Sequence, residues 1–157
     1  MRNTLGPQNP KAIMISMKII FFALCSGIVF FAIASYFVSM QPGQVHADKS
    51  IDDIFIIIVP VFALISISAG YFLYRSKLQL IKDNPEMLVK CQQFQVISII
   101  KFALIEAPAL FAIVSYMLTT NYIYLAVAGL ILVVFLINFP SKTKIQNDIE
   151  INTDDFN

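Results

Sequence analysis

Long apolar runs separated by short polar segments dominate the chain. Residues 19–40, 54–74, 96–118 and 122–139 are nearly free of charge. Crossing about 30 Å of hydrocarbon takes ~20 helical residues, so each run predicts a membrane-spanning α-helix. The fourth is the shortest, and Pro140 ends it. The predicted fold is all-α: one integral-membrane four-helix bundle over residues 1–140, followed by a polar tail over 141–157.

Polar residues between the runs mark where the helices start and stop. Ser50 with Asp53 resembles a capping box at the start of the second helix, whose positive end Asp52 and Asp53 complement. Asn84, Pro85 and Glu86 read as an N-cap, a first-position proline and a first-turn acid. The third helix should therefore begin near Pro85, well before the bilayer. With the end of the second helix it predicts a helical extension over residues 75–95, in which Met87, Cys91 and Phe94 share a face to pack on Leu78 and Ile81. The connection Thr119, Thr120, Asn121 leaves almost no slack, so the third and fourth helices should be antiparallel neighbours. The tail from Ser141 has no sustained periodicity and is expected to be disordered or at most a short surface helix.

The first run recurs eighty residues later. Residues 19–36 read IIFFALCSGIVFFAIASY and residues 99–116 read IIKFALIEAPALFAIVSY, identical at ten of eighteen positions. One complete hairpin separates the copies, so both run in the same direction. This predicts two parallel-repeat hairpins related by a pseudo-twofold axis along the membrane normal.

Composition strengthens the membrane reading, with 58% hydrophobic and 13% charged residues and a mean hydropathy of +0.76. Ordinary globular chains carry roughly a quarter charged residues. A net charge of +1 conceals a pattern: nine of eleven Lys and Arg residues fall in three segments. These are Arg2, Lys11 and Lys18; Arg75, Lys77, Lys82 and Lys90; and Lys142 and Lys144. Short basic loops stay on the cytoplasmic side, which places both termini and the middle loop in the cytoplasm and suggests a bacterial cytoplasmic (inner) membrane. A cleaved signal peptide is the rival for the first run, but its 22 apolar residues exceed the roughly 7–15 of such a segment. Cys25 and Cys91 form no disulfide framework, and a buried cysteine is ordinarily a small apolar filler.

The repeat also points to a candidate polar site. Glu106 stands where the first copy has Ser26, about ten residues into its span, and Pro108 stands where the first copy has Ile28. A carboxyl group at that depth is costly unless neutral, paired or facing a cavity. Pro108 has no N–H to give to the carbonyl of Leu104, which it frees and where it can kink the helix. Gln95, Ile99, Phe102, Ala109, Ile113 and Met117 share the face of Glu106, making Glu106, Pro108, Ser26 and Gln95 the candidate intramembrane site. Its bland role is a hydrogen bond across the bundle that fixes packing; its sharper role is in protons, ions or ligand contact. Lys101, about 140° away on the helix, is expected to snorkel outward as an interfacial anchor. Pro60 can kink the second helix, while Ser66, Ser68 and Gly70 suggest close helix packing and Asn138 an interfacial position. His46 with Asp48, Asp52 and Asp53 is weak evidence for a metal, and no metal or cofactor is expected. No catalytic or phosphate-binding motif and no basic patch interleaved with aromatics stands out, so enzymatic activity and nucleic-acid binding are not expected.

The segment Ala103, Leu104, Ile105, Glu106, Ala107 resembles the carboxylate-bearing helix of ATP-synthase rotor proteolipids, and a duplicated hairpin with one acid is similar to the larger vacuolar-type proteolipids. That resemblance implies Glu106 as a proton carrier. In proteolipids, however, the acid lies on the second helix of its hairpin and the packing helices are rich in glycine, whereas this chain has five Gly. More broadly, residues 106–111, the later Thr-Thr-Asn and the segment 140–149 look like an uncharacterised family of four-helix bacterial membrane proteins, which implies the fold and no activity. The expected function is a small non-enzymatic accessory or interaction subunit, contacting the lipid bilayer and a membrane-protein partner or further copies of itself. The alternative is a proton- or ion-handling protein using Glu106.

Overall fold

A computed structural model describes residues 10–41, 49–82, 86–141 and 148. Among them the chain forms four helices and no strand: α1 (Pro10–Ser39), α2 (Lys49–Lys82), α3 (Met87–Thr119) and α4 (Ile123–Ile137). The first three are long and apolar enough to cross a membrane, so this is a small helical membrane protein. The fourth has 15 residues, about 22 Å at 1.5 Å each, and is shorter than a full hydrocarbon core. The run at 122–139 is thus helical only in its middle, since Tyr122 and Asn138 are the flanking caps.

Helix boundaries depart from the sequence reading at three places. The helix of the first run begins at Pro10, nine residues before the run itself. Ser50 lies within α2 rather than capping it. Glu86, not Asn84, takes the extended N-cap conformation of α3 (φ −90°, ψ 113°), with no side-chain capping bond; Asn84 and Pro85 lie outside the described residues. Both α2 and α3 continue through their internal prolines, Pro60 and Pro108. The turn into α4 is as tight as expected. Thr120 adopts a left-handed φ of 55°, and its N–H donates to the Tyr116 carbonyl at 2.7 Å, a terminating geometry usually given to glycine.

The bundle is built around α3, which packs against all three other helices, whereas α1 and α2 scarcely touch. Half of the apolar window of α3 is buried (50%), compared with 17% in α1 and 22% in α2. Sequence spacing explains which faces turn inward. In α1, Met14, Phe21, Ile28 and Ser35 are buried at seven-residue intervals, a coiled-coil-like seam. In α4, Tyr124, Ala128, Ile131 and Phe135 form the buried stripe. A twofold exchanging the two hairpins would make α1 and α2 pack as α3 and α4 do; the observed packing lacks that equivalence.

Two cores result. The larger joins all four helices around Phe21, Ile28, Val59, Ile105, Tyr116 and Phe135, with Phe21 stacked on Phe135 at 4.7 Å. The smaller lies at the hairpin end, where Ile13, Met14 and Met17 of α1 close over Tyr74, Ile81, Cys91, Phe94 and Ile97. Cys91 and Phe94 do meet Ile81 and Leu78 as the extension predicts, although the side chain of Met87 lies outside the described set. The part played by α1 was not expected. Its early start supplies the third wall of this core.

Candidate functional site

Pro108 is buried within α3, and its consequence is visible one turn earlier. The Leu104 carbonyl, which has no proline N–H to accept, instead accepts a hydrogen bond from Ser66 Oγ of α2 at 2.6 Å. Without a donor, a buried carbonyl in hydrocarbon would cost several kcal/mol. One turn further along α2, Gly70 lets the helices close: a Cβ there would lie 3.3 Å from Leu104 Cβ and 3.6 Å from the Lys101 carbonyl. Val59, Ala63, Ser66 and Gly70 form the inward stripe of α2, whereas Ser68 is exposed. The backbone opening anticipated at Pro108 is therefore closed by Ser66, not by Glu106.

Glu106 lies on the other side of α3, toward α1. A Cβ on Gly27 would stand 3.9 Å from its Oε1. The carboxyl is half-buried, at the edge of the inward arc of α3: Ala109 and Ile113 beyond it are fully buried, while Ala103 and Ala107 beside it are exposed. Across the seam, Ala23, Ser26 and Gly27 of α1 are exposed as well. Glu106 makes no hydrogen bond among the described residues. Ser26 is adjacent in sequence to Gly27 but faces outward. Gln95, half-buried and eleven residues before Glu106, lies about 16 Å away along the axis. The four candidates therefore do not converge; the seam holds the carboxyl of Glu106 and the backbone of Gly27.

Lys101 does not extend outward as an anchor. It is 4% exposed, with its ammonium 4.3 Å from the centre of the Tyr74 ring and 5.0 Å from that of Tyr71. Both rings come from α2, on the side of α3 away from Glu106. A desolvated cation over aromatic faces is stabilised by about 2 kcal/mol. The rings are themselves fixed: Tyr74 donates to Asp148 at 2.6 Å, and Asn138 Nδ2 lies 2.6 Å from the Tyr71 hydroxyl while donating to Val134 O at 2.8 Å. Asp148 belongs to the tail expected to be disordered or at most a short surface helix; this one described residue of its later part is helical and hydrogen-bonded to the bundle through Tyr74. A cavity of about 20 Å³ lies among Met17, Tyr74, Ser98, Lys101 and Asn138, room for a single water molecule. Lys101 is enclosed because the α1 extension, the hairpin and Asp148 cover the level at which its side chain would otherwise leave the bundle.

A second polar cluster closes the opposite end. Asp52, in the first turn of α2, accepts from Tyr124 Oη at 2.6 Å and from Asn121 Nδ2 at 3.0 Å. Asn121 Oδ1 in turn accepts from the Ile123 N–H at 3.2 Å. Asp52 thus ties the start of α2 to the α3–α4 turn as well as complementing its own helix. Tyr71, Tyr74, Tyr124 and Ser66 were not singled out as polar partners from sequence, and their signal is slight: tyrosines near the ends of membrane helices. His46 and Asp48 lie outside the described residues, among which no group of three His, Cys, Asp or Glu could hold a metal ion. No protein-family model, curated protein or solved structure matches this chain.

Proposed function

We propose that the protein is a small non-enzymatic membrane subunit that receives a partner helix along the seam between α1 and α3. The observation that carries this reading is Glu106: a half-buried carboxyl with no hydrogen bond among the described residues, in a seam whose exposed edges are Ala23, Gly27, Ala103 and Ala107. Small residues let membrane helices approach closely, and a polar side chain in hydrocarbon gains most from a donor on the incoming helix. The positive-inside pattern supports a bilayer orientation with the hairpin, both termini and the Lys101 cluster toward the cytoplasm, as in a bacterial inner membrane.

The experiment is co-purification from native membranes. A Cβ at position 27 meets only the end of the Glu106 side chain, so Gly27→Leu should fill the seam, abolish partner recovery and leave the fold intact. Glu106→Gln should retain the partner, because the amide still hydrogen-bonds, and Glu106→Leu should lose it. Unchanged recovery in Gly27→Leu and Glu106→Leu would refute the proposal. The same carboxyl supports a second reading, proton or ion handling. Under that reading a hydrophobic carbodiimide labels Glu106 rapidly and with pH dependence, and Glu106→Gln abolishes function instead of preserving it.

A further inference from the structure

A concavity lies between α2 and α3 on the hairpin, on a face that neither polar cluster occupies. It has a volume of about 510 Å³, within the roughly 300–1,000 Å³ typical of ligand sites. Its floor is Ile81 and Ile97, both buried, and its walls include the exposed Leu80, Val96 and Ile100. Lys77, Gln92 and Gln93 supply the polar lining. Polarity changes along the helix axis. Ile100 adjoins Lys101 at the edge of the shared core, Val96 and Ile97 follow, and the amides come next. From Ile100 to Gln92 the rise is about 12 Å, close to the ~15 Å depth of one hydrocarbon leaflet. A groove that is apolar on the membrane side, with Lys77 and the two amides further toward the hairpin turn and Leu80 and Ile81 beyond them, matches an amphiphile lying parallel to the helices.

We propose that this groove binds an anionic phospholipid, with an acyl chain along Val96, Ile97 and Ile100 and the headgroup phosphate at Lys77. The ammonium of Lys77 and the amide N–H groups of Gln92 and Gln93 are all donors, and a phosphate diester offers only acceptors and a negative charge. Lys77 is exposed and makes no ion pair among the described residues, so its charge is available to a ligand. Arg75, also exposed, and the half-buried Lys90 add positive potential at this level. A lone apolar face would suit a partner helix equally well. The cation and paired amides beyond that apolar stretch favour the lipid.

Native mass spectrometry of the full chain in detergent tests the proposal, using phosphatidylglycerol, phosphatidylcholine with the same chains, and inorganic phosphate. Phosphatidylglycerol should be retained about fivefold over phosphatidylcholine, the effect of one lysine near a membrane surface. Lys77→Gln should bring the two lipids to parity. Val96→Trp, at an exposed wall, should fill the groove and lower retention of both. The proposal is overturned by equal retention in the unaltered chain, by a preference that survives Lys77→Gln, or by lipid retention indifferent to Val96→Trp. Displacement by inorganic phosphate would identify a free-anion site instead, and a protein segment recovered in the groove in place of lipid would likewise overturn it. None of these outcomes depends on Glu106 or on the α1–α3 seam.

Discussion

The two sequence copies end up in different surroundings. Phe102, Ile113 and Tyr116 of α3 are 3%, 0% and 1% exposed, whereas their counterparts Phe22, Ile33 and Tyr36 of α1 are 57%, 52% and 36% exposed. Local structure is nevertheless repeated. Ser39 Oγ donates to the Ser35 carbonyl and Thr119 Oγ1 donates to the Ser115 carbonyl, each at 2.8 Å. The side chains of the shared serines then diverge: Ser115 Oγ donates to Phe111 O at 2.9 Å, while the buried Ser35 Oγ has no partner among the described residues. The same apolar pattern makes the same helix in both places, but neighbours decide which of its faces is covered. Three helices surround α3, while α1 lies at the edge of the bundle.

Matched substitutions in the two copies test this contrast. Ile113→Ala should destabilise the bundle by about 2–5 kcal/mol, the cost of a cavity in a closed core. Ile33→Ala, at the equivalent exposed position, should stay within about 0.5 kcal/mol. Unfolding in mixed micelles followed by circular dichroism measures both, and equal losses would break the contrast. Next in size is Ser66→Ala, expected to cost about 1–3 kcal/mol because it strands the Leu104 carbonyl. That loss should shrink in a Pro108→Ala background, where the restored N–H of residue 108 can bond Leu104; a double-mutant cycle reads the coupling. Additive losses would show that Ser66 acts by packing alone. A smaller loss than that of Ser66→Ala should come from Tyr74→Phe, about 0.5–1.5 kcal/mol from the lost bond to Asp148. It should be accompanied by faster amide exchange around Asp148, and unchanged exchange would remove that residue from the Lys101 cluster.

Lys101 and Glu106 show how far a single helix can be read from sequence. Their separation around the axis follows from helical periodicity alone, and the structure does turn them toward α2 and α1 respectively. The freed carbonyl of Leu104 was equally legible, because it follows from the missing N–H of Pro108. The enclosure of Lys101 was not. It depends on Tyr71 and Tyr74, on the early start of α1 and on Asp148, which are distant in sequence and carry no shared pattern. Likewise, Ser66 was readable as a small residue suited to close packing but not as the donor to Leu104, since that pairing requires the register between α2 and α3.

Apolar run length, helix-ending prolines and charge distribution determined by themselves that the chain forms long helices suited to a membrane, because those preferences are local and repeat along the chain. Sequence comparison likewise showed that segments of α1 and α3 are identical at ten of eighteen aligned positions. Only the tertiary structure decided that α3 occupies the centre, that α1 reaches beyond its apolar run to wall a second core, and that the prominent carboxyl is left at a seam while the lysine is enclosed. The physical reason is that burial in a bundle belongs to pairs of helices. Hydropathy marks which segments leave water, but lipid and protein are similarly apolar, so only shape, register and hydrogen bonding between distant residues select the face that each helix turns inward.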